Sequence, residues 1–277
     1  MRIVNNISAM NTHRQLGITD RAMGKTLEKL SSGLRINRAG DDAAGLAISE
    51  KMRGQIGSMK MAVRNAEDGI SLIQTAEGAL NEVHAMLHRM RELAIQAKNG
   101  TLEDSDMDEL QKEYQHLNDE ISRIFTVTKF NGKDLIKIGD GTGSGTTFGF
   151  QIGAAAGDAL NVTIKELDKS DLSGTSIGSI GEGGNDLADV LQYIDDFTKD
   201  VTSLRNDLGA FQNRMEHTIN NLGVSIENLS AAESRIRDAD MASEMTNFTK
   251  HQILTQSATA MLAQANMRPQ SVLQLLG

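Results

Sequence analysis

Cysteine and tryptophan are absent from the chain, proline occurs once, at Pro269, and aromatic residues make up only 3% of its 277 positions. Without cysteine there is no disulfide framework and no thiolate metal site. So few aromatic rings argue against the deep, ring-lined pocket that small-molecule sites use. A single proline leaves helices free to run long. No stretch approaches the ~18 apolar residues of a membrane span, so no membrane insertion is expected. The opening MRIVNNISAMNTHRQ lacks the apolar centre of about 7 to 15 residues that marks a signal peptide. Any export is therefore expected to use another route. What the chain does have is Ala, Leu, Ile and Met within a 39% hydrophobic share, good material for the seams of long helices.

The net charge of −9 is unevenly spread. Seven basic residues in 1–40 face Asp20 and Glu28, giving +5; residues 233–277 balance four of each sign; the middle therefore holds −14. An acidic middle excludes a nucleic-acid surface, which needs clustered Lys and Arg. The basic arm is expected to face an acidic neighbour, with binding to an anionic surface as the alternative.

Apolar periodicity places long helices at both ends of the chain. Met23, Leu27, Leu30 and Leu34 step by 4, 3, 4, one stripe of a helix. From Val63 to Ala97 eleven apolar positions advance 34 residues in ten steps, a mean of 3.4 with one 3,3 irregularity at Ile73 to Ala76, the period of a supercoiled seam. Asn99-Gly100 is read as its stop. Ser105, with Asp108 and Glu109, is read as the next helix start, followed by Leu110, Tyr114, Leu117, Ile121 and Ile124. Val190, Ile194, Phe197, Val201, Leu204, Leu208, Phe211 and Met215 alternate steps of 4 and 3, and apolar positions continue to Ala265 before stopping near Pro269. The spacing predicts helices at about 55–98, 105–125 and 187–230, and arms at about 1–35 and 236–275. Between them, Asn131-Gly132 marks a tight turn, and 147–152 and 160–165 alternate as short strands. The glycine and serine runs at 139–145 and 173–184 are read as loops. The expected fold is mainly α: a long-helix bundle and a terminal coiled coil, with short β-hairpins in the middle.

The three central helices can bury their stripes on one another, but the two arms have only each other within a monomer. An exposed aliphatic stripe, at roughly 1.5 to 3 kcal/mol per large side chain, demands partners. Copies of the same chain meeting head to tail without closure make an open helical filament. The expected self-assembly seam is Met23, Leu27, Leu30, Leu34, Phe248, Leu254, Met261 and Leu262.

Chemistry is sparse, and no catalytic residue, cofactor site or metal site is expected. His84 and His88 have the i,i+4 spacing of two metal ligands, but His-Ala-Met-Leu-His lacks the glutamate of a zinc hydrolase. Both flank seam positions and are read as solvated. The 139–145 glycine run has no phosphate-cradle pattern. Asp41-Asp42, Asp195-Asp196 and Asp238 with Asp240 are read as solvated acids or helix N-terminal partners rather than general acids and bases. Met23, Met90 and Met215 fall on seam steps, so methionine is read as packing.

Residues 31–49, SSGLRINRAGDDAAGLAIS, resemble the N-terminal signature of bacterial flagellins, and 229–276, from LSAAESRIRDADMASEM to RPQSVLQLL, is similar to their C-terminal signature. The resemblance covers about 1–165 and 186–277. It implies a structural subunit, not an enzyme, that polymerises into the extracellular flagellar filament used as a motility propeller. It implies residues 1–40 and 236–277 as helical arms of an inner core domain. Residues 41–235 would be a helical bundle domain with hairpins at about 126–166 and a short link at 167–185, too short for the outer domains many flagellins insert. Export unfolded through the flagellar secretion channel, an export chaperone, a filament cap and hook-junction proteins are implied likewise. Residues 87–96, LHRMRELAIQ, are similar to the flagellin patch recognised by Toll-like receptor 5. Arg89, Leu93 and Gln96 match, with Glu113 on the next helix, while His88 and Met90 depart from the commonest versions. Serine and threonine residues in 142–179 are candidate O-glycan carriers. A hook-filament junction protein shares the terminal helices, and a monomeric binding module would not need two apolar arms.

Overall fold

The computed structural model describes residues 6–99, 102–139, 145–155, 157–168 and 187–276. Most of the glycine and serine runs, Gly100, and the greater part of the link lie outside them. The described residues fall into two compact units, one of Met1–Ile56 with Glu227–Gly277, the other Gly57–Ile226. Among them are five helices: α1 (Ile7–Ser32), α2 (Ala43–Ala97), α3 (Asp104–Val127), α4 (Leu187–Arg237) and α5 (Met241–Leu276). None is long and apolar enough to cross a membrane.

In the central unit the inner stripes of α2, α3 and α4 close a single core running from Leu72 to Met215. All but two of the eleven positions on the α2 seam are buried, Val63 and Ile70 being half-covered. On α4 the stripe from Val190 to Leu208 is buried, with Met215 two turns further on. Arg91 meets Asp195 at 3.0 Å and Arg205 meets Glu77 at 3.7 Å. As one residue number rises the other falls, so α2 and α4 run antiparallel. Helix α3 starts at Asp104, not at Ser105: the Glu103 amide donates to the Asp106 carboxylate at 3.3 Å, and backbone amides of Asp106 and Met107 donate to the Glu103 carbonyl. The carboxylate engaged at the helix N-terminus is thus that of Asp106, one residue after the expected cap, where a negative charge complements the helix dipole.

The β segments cover one end of this core. Strands β1 (Lys129–Phe130) and β2 (Lys133–Asp134) form a hairpin around Asn131 and Gly132. Their φ values of 49° and 76° suit a two-residue turn that needs both central residues left-handed, which Asn and Gly tolerate. Strand β3 (Ile138–Gly139) pairs in parallel with β6 (Leu167–Asp168). Strands β4 (Thr146–Gln151) and β5 (Ala159–Ile164) are antiparallel with Phe148 opposite Val162. On β5 burial alternates, Leu160, Val162 and Ile164 facing the core, as period-two side-chain direction requires.

The terminal unit holds α1, the start of α2, the end of α4 and α5. Helix α1 ends earlier than the apolar spacing predicts, because Gly33 takes φ +71° and its amide closes on the Lys29 carbonyl, a left-handed cap that glycine adopts without strain. Leu34 therefore lies beyond the helix, bridged to Asp238. Helix α2 begins twelve residues before the predicted Gln55. Helix α5 runs on through Pro269.

Candidate functional site

Helices α1 and α5 lie antiparallel. Asn6 Nδ2 donates to the Ala265 carbonyl at 2.8 Å at one end, and Lys29 pairs with Glu244 at 3.2 Å at the other. Proline has no amide to bond the carbonyl four residues back, and for Pro269 that carbonyl belongs to Ala265. Asn6 fills the gap, while its Oδ1 accepts from the Ala9 amide and caps α1 at 3.2 Å. One side chain thus starts one helix and allows the other to pass its proline.

The covered stripe on α1 is Ala9, Thr12, Leu16, Thr19, Met23, Thr26 and Leu30; on α5 it is Glu244, Phe248, His251, Thr255, Ala258, Leu262 and Ala265. Each advances 21 residues in six steps, a mean of 3.5, the coiled-coil period. The deepest positions on α1 are Thr19 and Thr26. Their hydroxyls donate to the Gln15 and Met23 carbonyls of their own helix at 3.0 and 2.9 Å, so burial leaves no unsatisfied group. Small and hydroxyl side chains take the deepest steps of the seam, Leu16, Met23, Leu30, Phe248 and Leu262 are half-buried along it, and further large apolar residues lie off it. Of the eight expected seam residues, Met23, Leu30, Leu34, Phe248 and Leu262 are half-buried. Leu27, Leu254 and Met261 are instead 54%, 43% and 58% exposed, because Thr26, Thr255 and Leu262 take the inward steps. Ile7, Met10, Ile18, Met241, Met245, Ile253 and Met267 join them on the outer faces.

The segment between α1 and α2 is a clip tying both chain ends together. The Arg35 amide donates to the Arg237 carbonyl at 2.7 Å, and the Ala239 amide to that of Gly33 at 2.9 Å. The Arg35 guanidinium donates to the Ile236 carbonyl at 2.6 Å, which satisfies the open end of α4. Arg237 reaches the Glu50 carboxylate at 2.6 Å, and that hydrogen bond holds Glu50 below the usual carboxylate range. Asp41 accepts from the Arg38 amide at 3.2 Å and the Asn37 amide at 3.4 Å. Its pKa is lowered first by the Arg38 bond, with Asn37, Lys25 and Lys29 adding to it and burial opposing. Asp42 caps α2 by accepting from the Gly45 amide at 2.9 Å. Asp240 does the same for α5, accepting from Ala242 at 3.0 Å. Sequence reasoning placed these acids among helix N-terminal partners but missed the clip. The signal was the motif itself, a glycine in RAGDDAAG with no room for a side chain.

On the central unit, Arg89 donates to Glu113 at 2.8 Å and to Glu92 at 3.2 Å, and these bonds push its pKa up. Gln96 is exposed two turns along the same face. Leu93 is not on this surface: it is fully buried in the core and supports the patch from beneath. His84 and His88 are not independently solvated, since their Nε2 atoms meet at 3.0 Å. Burial, then His88 and Arg205, push the His84 pKa down.

A closed bundle together with a helix pair that leaves large apolar side chains on its outer faces is the design of a self-packing structural subunit. Similarity to known proteins gives the particular kind. The model of the bacterial flagellin N-terminal helical region matches residues 3–138, and that of the C-terminal helical region matches 191–276. The chain is similar to the flagellin of Bacillus subtilis (strain 168), 51% identical over 306 residues that span all of both chains. It is similar to the flagellar filament 31.3 kDa core protein of Treponema maltophilum, 45% identical over 285 residues and again spanning both. Its fold resembles that of a flagellar hook-associated protein from Vibrio parahaemolyticus, with TM-score 0.62 at 15% identity, covering 72% of this chain and all of that one. The chain belongs to the bacterial flagellin family. It is a structural subunit that polymerises with its own copies into the flagellar filament and serves motility.

Proposed function

We propose that the outer faces of α1 and α5 form the filament's inner contacts. Residues 1–40 and 236–277 act as the arms of an inner core domain, and 41–235 as the bundle domain. The observation that carries this reading is the inversion of the pair: Thr19 and Thr26 are buried while Leu27, Leu254 and Met261 are exposed. A face of large aliphatic side chains left in water is a liability unless copies cover it, and head-to-tail copies extend without closing. Until then, an export chaperone, the filament cap and hook-junction proteins are suitable occupants for the same faces. Export without a cleaved signal peptide completes the reading and places the subunit outside the cell. The test is electron microscopy after adding a precipitating salt, with a variant lacking residues 1–35 alongside. Filaments from the full chain alone support it; filaments from both sink it.

The exposed Arg89–Glu113 pair with Gln96 favours a second role as a surface for Toll-like receptor 5, with Leu93 acting only through packing. Replacing Arg89 with Ala is expected to reduce receptor reporter signalling while leaving the bundle folded; unchanged signalling excludes the patch.

A further inference from the structure

We propose that the assembly face of the terminal helices is a methionine oxidation switch: peroxide converts its exposed thioethers to sulfoxides and withdraws the subunit from the growing filament. This rests on the reading of that face as the filament contact.

Six methionines are exposed among the described residues, and five of them, Met10, Met241, Met245, Met261 and Met267, lie on α1 and α5. The bundle instead encloses Met90 and Met215 completely. Thioether oxidation follows access, so the reactive set and the outer face of the helix pair largely coincide. With no cysteine in the chain, no thiol competes for the oxidant. The sulfur lone pair attacks one peroxide oxygen and the O–O bond breaks. Sulfur is oxidised to the sulfoxide, and the other oxygen, with the two peroxide protons, leaves as water. Each event turns a flexible apolar group into a polar acceptor. In water this changes little. Within a dry contact between copies, the new oxygen must be buried without a donor. The same contact shields the sulfur, so an assembled subunit is protected and a free one is not. Methionine sulfoxide reductases reverse the step, which makes it a switch.

The test treats purified monomer and preformed filaments with hydrogen peroxide. Growth is then followed on untreated filament fragments, and sulfoxides are mapped by peptide mass in pelleted and soluble fractions. The expected result is loss of growth for the treated monomer and recovery after incubation with both reductases. After partial oxidation, sulfoxide at the five positions should concentrate in the soluble fraction. A variant with all five changed to Leu, which keeps the apolar volume, should grow with or without peroxide. Equal sulfoxide content in pellet and supernatant overturns the switch and needs no variant. So does growth of fully oxidised monomer at the untreated rate. If untreated chain lacking residues 1–35 also grows, the reading of the arms has failed; if only the full chain grows and peroxide leaves it unaffected, the switch alone has failed.

Discussion

The bundle and the terminal helix pair use the same helical period for opposite ends. In the bundle the inward stripe carries the bulky residues, as with Leu80, Leu87 and Met90 on α2, and each is fully buried. In the pair the buried positions of the inward stripe are Thr19, Thr26 and Ala265, Leu16, Met23, Leu30, Phe248 and Leu262 on it are half-buried, and Leu27, Leu254 and Met261 fall one step off it. A period of 3.5 shows where two helices meet. Whether the surface left over is finished depends on which residues lie off the stripe. Of fifteen exposed large hydrophobic residues among those described, eleven belong to the terminal unit, so that unit is the incomplete one.

The sharpest way to break this comparison is to truncate one leucine in each region. Leu80→Ala empties a fully buried site and is expected to cost about 2 to 5 kcal/mol in urea unfolding of the monomer. Leu254→Ala, at an exposed site, should change monomer stability by less than about 0.5 kcal/mol yet slow growth on filament fragments. Equal monomer effects would show that the pair has a closed core after all.

The clip gives the next largest effect. A Cβ on Gly45 would lie 2.5 Å from Asp42 Oδ2 and 2.8 Å from Ile36 Cδ1. Gly45→Ala must displace either the α2 cap or a buried isoleucine, for about 1 to 3 kcal/mol. Hydrogen exchange should report it in residues 31–50 and leave the bundle unchanged. Asn6 comes third. Asn6→Ala removes both the α1 cap and the donor to the Ala265 carbonyl, for about 1 to 2 kcal/mol of local opening. Asn6→Asp keeps the cap and loses the donor, so faster exchange should then be confined to α5.

How much of this was legible in the sequence follows from the same contrast. The bundle seam and the Asn131-Gly132 hairpin could be read because bulky residues and turn residues carry their own signals. That Leu27, Leu254 and Met261 lie off the stripe shared by α1 and α5 was hidden because apolar periodicity assumes that the largest side chains face the partner helix. Here Thr26 and Thr255 do so, with Thr26 bonding the Met23 carbonyl and Thr255 the His251 carbonyl. The early start of α2 was hidden by Gly45, Gly54 and Gly57, which interrupt the apolar pattern yet sit inside the helix. Leu93 entered the patch by resemblance alone, and Met90, Leu93, Ala94 and Ala97 form the buried side of the same turns.

Finer tests probe how complete the bundle core is. Tyr114 is buried and its hydroxyl has no hydrogen-bond partner among the described residues; burial accordingly pushes its pKa well above the ordinary phenol value. Removing an unsatisfied buried group is favourable where the shape is kept. Tyr114→Phe is expected to raise monomer stability by up to about 1 kcal/mol, and a loss of that size would mean the hydroxyl is satisfied by ordered water.

The smallest effect concerns His84. Its pKa in the folded chain is lowered, first by burial and then by the charges of His88 and Arg205. The unfolded chain therefore takes up the proton at a higher pH, near the ordinary imidazole value of about 6.5. Where the unfolded state binds more protons, stability rises with pH. The bundle should consequently lose stability as pH falls through about 6.5 and downwards, until the folded state is protonated too. Because the His84 and His88 nitrogens share one contact, a second proton there meets both its neighbour and Arg205. Urea midpoints of the wild-type monomer and of His84→Gln, measured from neutral to mildly acid pH, should show the wild-type value falling relative to that of the variant. Parallel curves would place the titration elsewhere and remove His84 as the link between acidity and the stability of the bundle.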